Sequence, residues 1–514
     1  KGHVKNFNPP GSPSLQFDNP SLFLVYSESK AIDRTSCLYK WTSINKGGNA
    51  MASMIPKLNE KSGLLELGFH FTDVQEPNLF RNMYPYNDIP KLIFNHRIVP
   101  MNLPEKIYIT DTTFRDGQQA RSPYTVEEIC DLFTLLHKLD NGSGIIRQTE
   151  FFLYSPKDKE AVLKCQELGY DFPQITAWIR AKKEDFQLVK DMGLKETGIL
   201  VSCSDYHIFK KMHWTRSEAL KNYLSVVEAA LEAGIVPRCH FEDITRADFY
   251  GFVLPFAEKL MEMSRDAGIP VKVRACDTLG LGSSIPGVVL PRSVQQIMYG
   301  LTNYSGVPSE YLEWHGHNDF YNAVPNAVTA WLYGCASINA SLLGIGERTG
   351  NTPLEAMVIE YCQLKGNNGG MNLRVITDIA NYFENEQHFE IPPRTPFVGR
   401  AFNATRAGIH ADGLLKNEEI YNIFNTTDIL GRPPIVVVDA HSGAAGIAAW
   451  INTYYSLADN DRIDKRDEGV TAIKEWIDNE YATGRTTVIG DAEMEQQVKK
   501  HLPRLLTLRE SRSE

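Results

Sequence analysis

From residue 106 onward, short apolar runs rich in β-branched residues alternate with longer stretches whose apolar positions repeat at helical spacing. The short runs predict eight strands: Ile107–Asp111, Ile145–Phe151, Gln174–Trp178, Thr197–Ser202, Val236–Phe241, Val271–Ala275, Tyr311–His315 and Ser337–Leu343. The longer stretches predict eight helices: Val126–Lys138, Asp158–Leu168, Lys183–Met192, Ser217–Ala233, Tyr250–Ala267, Ser293–Thr302, Asn322–Tyr333 and Leu354–Leu364. Strands that alternate with helices form βαβ units and a parallel sheet.

Eight such units within residues 106–390 predict an α/β fold, a (β/α)₈ TIM barrel that carries the catalytic site. The alternative is an open, doubly wound sheet, which carries a glycine-rich phosphate-binding turn after its first strand. Here residues 112–117 read Thr-Thr-Phe-Arg-Asp-Gly instead, so the barrel is favoured.

The segments on either side of the predicted barrel have a different character. Residues 1–105 are rich in Asn, Pro, Ser and Gly and predict an N-terminal extension, loosely structured over 1–57 and carrying short elements over 58–105. Residues 391–514 begin with a proline-rich hinge and predict a C-terminal helical subdomain. Its predicted helical stretches are Ile409–Phe424, His441–Leu457 and Val470–Tyr481.

Composition and charge narrow the choice of partners. The 514-residue chain has a formal charge of −10 and no block of Lys and Arg, so we expect no nucleic-acid partner and no membrane partner. No apolar run approaches the ~18 residues of a transmembrane helix. The 8 cysteines are scattered without a Cys-x-x-Cys pair, which is typical of proteins kept reduced. These features predict a cytoplasmic protein that acts on small molecules.

Polar residues are concentrated at the predicted C-terminal ends of the strands, where TIM-barrel enzymes place their catalytic groups. They are Arg115 and Asp116 after the first strand, Glu150 in the second, His240 and Glu242 in the fifth, Asp277 and Thr278 after the sixth, His315 and His317 in the seventh, and Glu347 and Asn351 after the eighth. We expect these side chains to surround one site.

Two histidines in this set indicate a metal ion. His315 and His317 are two residues apart on a strand, so both imidazoles point to one face. A bare His-x-His pair is more often structural, but Asp116 at the same rim favours a metal site. Such ligands suit Mn²⁺, Co²⁺, Mg²⁺ or Zn²⁺. Arg115 needs an anionic partner, for which Glu242 is the natural candidate, either to hold a developing oxyanion or as a structural ion pair.

Three motifs in this order resemble the family of metal-dependent acyl-CoA condensing barrels and lyases, which includes isopropylmalate, homocitrate, citramalate and Re-type citrate synthases. The motifs are Asp-x-Thr-x-Arg-Asp-Gly-x-Gln at 111–119, His-x-His-Asn-Asp at 315–319 and Gly-Glu-Arg-x-Gly-Asn at 346–351. One departure is Ile345, where the family often has Asn between two glycines. The resemblance covers residues from about 85 to at least 445.

The resemblance implies roles for individual residues. Asp116, His315 and His317 match the metal ligands, with Asn351 on or beside a divalent ion, Mn²⁺ or Co²⁺ before Mg²⁺ or Zn²⁺. Arg115 matches the catalytic arginine, Glu242 its carboxylate partner, and Thr278 the threonine that binds the 1-carboxylate of the 2-oxo acid. Residues 408–413, Gly-Ile-His-Ala-Asp-Gly, match a helix whose histidine, here His410, completes the site of a neighbouring subunit as its base. Tyr421 is a further candidate. Acetyl-CoA is then the co-substrate, and a homodimer or higher homo-oligomer is expected.

The predicted fifth strand bears on the choice of 2-oxo acid. Arg238, His240 and Glu242 share one face, and a cationic Arg238 suits a second substrate carboxylate, as a matching arginine does in homocitrate synthase. His240 stands where a smaller residue is usual and shortens the pocket, which favours oxaloacetate and a citrate product. Local stretches also resemble the Re-type citrate synthases. Homocitrate synthase is the first alternative, isopropylmalate or citramalate synthase the second, and a lyase of the same fold lies outside the condensing class.

Overall fold

The computed structural model describes residues 55–58, 65–68, 71–79, 99–405, 410, 413–414, 417–455 and 457–505. The loosely structured segment predicted over residues 1–57 therefore lies almost wholly outside the described residues. Ahead of the barrel, two short strands, β1 (Ile55–Leu58) and β2 (Leu65–Gly68), pair in antiparallel fashion. Within the described ranges, no helix is long and apolar enough to cross a membrane.

Eight parallel strands close into a barrel, which confirms the predicted fold class. In chain order they are β3 (Tyr108–Asp111), β4 (Ile146–Phe152), β5 (Gln174–Ile179), β6 (Glu196–Ser202), β7 (Val236–Glu242), β8 (Lys272–Asp277), β9 (Leu312–Gly316) and β10 (Ser337–Ala340). Each strand pairs with its sequence neighbour, and β10 closes the ring by pairing with both β9 and β3. All eight predicted strands are present.

Eight helices follow these strands around the barrel. They are α1 (Val126–Asp140), α2 (Pro156–Glu167), α3 (Phe186–Asp191), α4 (Arg216–Glu232), α5 (Leu254–Ala267), α6 (Val294–Asn303), α7 (Ala323–Leu332) and α8 (Leu354–Lys365). Thr125, Ser155 and Thr215 cap α1, α2 and α4, each in a reciprocal hydrogen-bond pair with the acidic residue three positions on. Such a cap contributes about 1 kcal/mol to helix stability.

Some predicted boundaries are wrong, and two of these errors lie at the rim that carries the functional loops. The helix predicted from Tyr250 begins at Leu254, because Phe249–Val253 forms a π-helical turn whose first free backbone N–H groups are capped by Asp248. The strand predicted to reach Leu343 ends at Ala340, because residues 342–344 form a short 3₁₀ turn in which Leu343 has φ of 56°. Hydrophobic periodicity does not register such turns.

Apolar and charged side chains occupy opposite faces of the barrel strands. Outward-facing residues such as Ile109, Ile199 and Val273 pack beneath the helices in one continuous apolar core. The barrel interior, which branched apolar residues usually fill, instead holds a group of charged side chains that are buried except for the partly exposed Lys272. They are Glu150, Glu196, Arg238, Lys272, Arg274 and Glu313.

The C-terminal region after the barrel is helical and has an apolar core of its own. Helix α9 (Val375–Asn385) precedes a two-residue parallel pair, β11 (Ala404–Thr405) with β12 (Ile435–Val436), between which lies α10 (Thr426–Leu430). Three further helices pack on one another: α11 (Ala444–Tyr454), α12 (Glu468–Ala482) and α13 (Asp491–His501). The helix predicted over Ile409–Phe424 does not extend to its predicted end, because Glu418–Ile420 is a single 3₁₀ turn followed by non-helical residues.

Candidate active site

A cavity of about 180 Å³ opens at the C-terminal ends of the barrel strands. Its walls bring together most of the residues that the sequence selects. They are Arg115, Asp116, Gln119, Trp178, Leu200, His240, Glu242, Arg274, Cys276, Thr278, His315, His317, Glu347 and Arg348. Seven different strands and their loops contribute, as expected for a TIM-barrel site.

Asp116, His315 and His317 form a compact group of potential metal ligands on one side of the cavity. The Asp116 Oδ2 atom is 3.6 Å from His315 Nε2 and 3.7 Å from His317 Nε2, and the two Nε2 atoms are 3.2 Å apart. Two ligand atoms that each lie about 2.1 Å from one ion are separated by about 3 to 3.5 Å. The trio therefore has the spacing of ligands on a single ion. Among the described residues, it is the only such group of three.

The charge states of the trio also suit a cation. Burial lowers the pKa of both His315 and His317 to about 4, so each imidazole is neutral at pH 7 and keeps a lone pair. Burial alone would raise the pKa of Asp116, but Arg115 and the two histidines outweigh it and the pKa falls to about 2. Asp116 is thus a carboxylate that faces two neutral nitrogens.

Neighbouring amides fix the orientation of the trio. The Nδ1 atom of His315 is 2.7 Å from Asn339 Oδ1, which favours an Nδ1–H tautomer and leaves Nε2 free to bind an ion. Asn351 donates from Nδ2 to Asp116 Oδ2 at 2.7 Å, while its buried Oδ1 atom has no hydrogen-bond partner among the described residues. A carboxamide oxygen of this kind, beside the predicted metal ligands, fits a divalent ion.

Arg115 and Asp116 reach the cavity because the chain after β3 forms a wide π-helical turn over Thr113–Gly117. The Arg115 guanidinium lies 3.3 Å from Asp116 and 3.9 Å from Glu150, with its central carbon 4.8 Å from the Trp178 ring. Its Nε atom is buried without a hydrogen-bond partner in the described part of the chain. The guanidinium is therefore positioned by Asp116, Glu150 and Trp178, and its Nε–H can still donate a hydrogen bond to a ligand.

Glu242 is not the partner of Arg115, contrary to the pairing predicted from the sequence. Its carboxylate accepts a hydrogen bond from Ser202, lies 3.0 Å from His207 Nδ1 and lies 3.7 Å from Lys211. Burial raises the pKa of Glu242, but the contact with His207 outweighs this and lowers the pKa to about 2. Arg115 pairs with Asp116 and Glu150 instead, because the turn after β3 points the guanidinium towards β4.

Thr278 lies at the cavity wall with its hydroxyl group already oriented. Its Oγ1 atom accepts a hydrogen bond from the backbone N–H of Asp243 at 2.8 Å. The hydroxyl proton is thus left free to be donated towards the cavity.

Arg238 does not line the cavity, and this differs from its predicted position. Its guanidinium lies deeper in the barrel, where it binds Gln148 and Glu196 and approaches Glu313 at 3.4 Å. Residues 238, 240 and 242 do share one face of β7, but the strand places residue 238 one inward-facing position below His240. Glu196 and Glu313, two buried carboxylates that no sequence motif marks, therefore hold Arg238 as a structural cation.

The residues of the cavity region that sequence reasoning missed include Trp178, His207 and Arg274. Arg274 is two residues before Cys276 and four before Thr278 on β8, so the two-residue period of a strand could have placed it inside the barrel. His207 follows β6 in a π-helical turn over Tyr206–Lys211, which has no periodic signal.

His410 and Tyr421 are outside the cavity in this chain. His410 is exposed, and its ring centroid lies 4.2 Å from that of Tyr421, which is also partly exposed. Neither residue is among those that line the cavity.

The model of the HMGL-like family matches residues 106–383, the segment that contains every strand of the barrel and all three metal-binding candidates. The chain belongs to the HMGL-like family. This membership confirms the resemblance inferred from the three motifs, whose residues all lie within the HMGL-like segment.

Relatives of this HMGL-like chain extend the similarity into the helical C-terminal region. A protein of Clostridium kluyveri named citrate (Re)-synthase is 60% identical over 445 residues, which are 87% of this chain and 98% of that protein. Another citrate (Re)-synthase, of Syntrophus aciditrophicus, is 56% identical over 85% of this chain and 70% of its own length. A 2-phosphinomethylmalate synthase of Streptomyces hygroscopicus is 35% identical over 83% of this chain and 97% of that protein.

Proposed function

We propose that this protein condenses acetyl-CoA with oxaloacetate and releases citrate and CoA, as a citrate (Re)-synthase. The observation that carries the proposal is the 60% identity with a protein of that name over 98% of its length. Relatives named for isopropylmalate, homocitrate and citramalate synthesis are 26% to 29% identical to this chain. The cavity supports the same assignment, because it combines a metal-competent trio with cationic and hydroxyl donors suited to a 2-oxo acid.

Asp116, His315 and His317 are the proposed metal ligands, with Asn351 as an additional oxygen donor. A divalent ion bound there, Mn²⁺ or Co²⁺ in our proposal, would act as a Lewis acid on the 2-oxo group of the substrate. Thr278 donates its free hydroxyl proton to the 1-carboxylate, which fixes the orientation of the 2-oxo acid. Arg115 donates from its guanidinium, whose Nε–H makes no hydrogen bond among the described residues, to the carbonyl oxygen on which negative charge develops during attack.

The condensation needs a base that removes a proton from the acetyl methyl group. His410 of the partner subunit is the proposed base, since an imidazole nitrogen can accept a proton and this residue is exposed and lies outside the cavity of its own chain. Tyr421, whose ring lies beside that of His410, would enter the same neighbouring site. The resulting enolate attacks the carbonyl carbon of oxaloacetate to give citryl-CoA, and water then cleaves the thioester to release CoA. Because the base comes from the partner subunit, the proposed active form is a homodimer. Its proposed location is the cytoplasm.

The substrate assignment is tested with purified protein, acetyl-CoA and four 2-oxo acids: oxaloacetate, 2-oxoglutarate, 2-oxoisovalerate and pyruvate. Release of the CoA thiol is followed with a thiol reagent, and the product is identified by mass spectrometry. Oxaloacetate should give the highest kcat/KM and citrate as the product. A higher kcat/KM with any of the other three acids would replace the proposal with the corresponding synthase.

The shared site is tested by mixing two inactive variants, His410→Ala and Arg115→Ala, under conditions in which subunits exchange. A mixed dimer carries one intact site, so part of the activity should return. Sedimentation of the active enzyme as a monomer would contradict the proposal.

A further inference from the structure

Arg274 lies at the inner end of the cavity with one donor that no described residue satisfies. The residue is fully buried on β8, yet it belongs to the cavity wall. Its Nε atom donates to Glu313 Oε2 at 2.5 Å, and its Nη1 atom donates to Glu150 Oε2 at 3.0 Å. Its Nη2 atom has no hydrogen-bond partner within the described residues.

This geometry points to a ligand atom. Two carboxylates on neighbouring sides fix the guanidinium plane, so the third nitrogen cannot turn away from the cavity to find another acceptor. A buried donor of a charged group that stays unpaired is costly, and such groups are rarely left unsatisfied in native proteins. An anionic oxygen bound in the cavity would complete the set of acceptors around Arg274.

Strand geometry places this donor away from the groups that hold the reacting end of the substrate. Residues 274, 276 and 278 alternate with outward-facing ones along β8, so Arg274 lies about 13 Å of strand below Thr278. Thr278 and the metal-competent trio are at the open end of the cavity. A carboxylate that binds Arg274 must therefore be the one farther from the 2-oxo group.

His240 limits how long that substrate can be. It is the strand partner of Arg274 in the register between β7 and β8, and its Nε2 atom lies 3.4 Å from Glu150. The sequence makes room for the imidazole with Gly198 on the adjacent strand, where a Cβ atom would lie 2.6 Å from Nε2. The ring thus occupies space that a longer dicarboxylic acid would need.

We propose that Arg274 Nη2 binds the distal carboxylate of the 2-oxo acid and that His240 sets the chain length, so that these two residues select a four-carbon dicarboxylate. This inference rests on the proposed function and deepens it, because it transfers the selection of the second carboxylate from Arg238 to Arg274. Arg238 cannot serve this purpose, since Gln148 and Glu196 occupy its Nη2 atom outside the cavity.

The test compares Arg274→Lys with the matched control Arg238→Lys. Both changes keep a cation among the buried carboxylates, but a lysine at 274 lacks the fork that reaches Glu150, Glu313 and the substrate together. Arg274→Lys should raise KM and Kd for oxaloacetate by about tenfold to a hundredfold and leave those for pyruvate within about twofold. Arg238→Lys should leave the ratio of the KM values for oxaloacetate and pyruvate, and the ratio of the two Kd values, unchanged. The inference is overturned if the ratio changes in Arg238→Lys and not in Arg274→Lys.

Binding is measured by calorimetry without acetyl-CoA, and folding by melting temperature, so the result does not depend on turnover. If the wild-type protein binds oxaloacetate better than pyruvate but condenses neither with acetyl-CoA, the proposed function is contradicted and the inference about Arg274 still stands. Equal affinity for the two acids in the wild-type protein would remove the inference.

Should Arg274→Lys fail to fold, His240→Ser supplies the second measurement. Removing the imidazole lengthens the cavity without removing a charge, because burial lowers the pKa of His240 to about 4 and the ring is neutral at pH 7. The variant should gain at least about tenfold in affinity for 2-oxoglutarate relative to oxaloacetate. An unchanged preference would overturn the proposed control of chain length.

Discussion

The rim and the interior of the barrel hold similar types of charged and ionisable residue. At the rim their ligand atoms converge on one point, whereas in the interior they form ion pairs with one another. At the rim, Asp116 faces two neutral imidazoles, so its Oδ2 atom and two nitrogen lone pairs converge on one point, while Arg115 contacts the other carboxylate oxygen. In the interior, Arg238, Lys272 and Arg274 face Glu150, Glu196 and Glu313 in a balanced network of three cations and three carboxylates. Both groups are buried, and both are rich in charge.

The difference shows how a buried charged group should be interpreted. Charged side chains that form ion pairs with one another hold the folded chain in one arrangement. A group made only of electron-pair donors needs a bound cation to offset their burial. The rim trio is of the second kind. The interior network is of the first kind except at two atoms, Arg274 Nη2 and Glu150 Oε1, which have no hydrogen-bond partner among the described residues. Substitutions in the two groups should therefore affect different measurements.

The largest effect is expected from the rim. His317→Ala removes one of the three proposed ligands, so metal content should fall and the rate of CoA release should drop by at least about a thousandfold. Chelation with EDTA should produce the same loss in the wild-type protein, and Mn²⁺ or Co²⁺ should restore it. His441→Ala changes an exposed histidine outside the barrel and serves as the control. Full activity with undiminished metal in His317→Ala would contradict the assignment of the trio.

The interior should respond in stability. Arg238→Leu leaves Glu196 and Glu313 with less positive charge around them, and breaking a buried ion pair costs about 3 to 5 kcal/mol. Chemical denaturation of this variant should show a loss in the free energy of unfolding of that size. Adding Glu196→Gln should recover part of it, because the network then holds two cations and two carboxylates. If the Arg238→Leu variant is as stable as the wild-type protein but has an altered substrate preference, Arg238 binds the substrate and is not a structural cation.

Acid should separate the two regions further through His240, which packs between them. Burial, reinforced by Arg274, lowers the pKa of His240 in the folded protein to about 4 from its ordinary 6.5. Between these values the unfolded chain binds a proton that the folded chain does not, so stability is complete above pH 6.5 and falls as the pH drops to 4. The loss amounts to about 3 kcal/mol at most for this one group. His240→Asn should flatten the pH dependence of unfolding in that window, and an unchanged slope would show that His240 does not contribute to it.

The fold and the rim could be predicted from the sequence because both rest on local, periodic signals. The alternation of strand and helix patterns predicts the barrel, and the His-x-His spacing with Asp116 predicts a shared face at its rim. The partners of Arg115, Arg238 and Glu242 could not be predicted in the same way. Their choices depend on side-chain rotamers, on π-helical turns at residues 113–117 and 206–211, and on carboxylates from distant strands. A cation in a sequence is matched to its anion only by three-dimensional packing.

The smallest effect is expected at a helix cap outside both the rim and the interior network, which serves as a stability control for both. Thr125 caps α1 through its side chain, which accepts from the backbone N–H of Glu128, while the backbone N–H of Thr125 donates to the Glu128 carboxylate. Thr125→Ala removes one side of this pair and should lower the free energy of unfolding by about 1 kcal/mol. Because the cap is exposed and is not part of the cavity wall, metal content and KM for oxaloacetate should stay at wild-type values. If Thr125→Ala altered KM as Arg274→Lys is expected to, a general loss of stability would account for both, and the separation of rim from interior would need direct structural measurement.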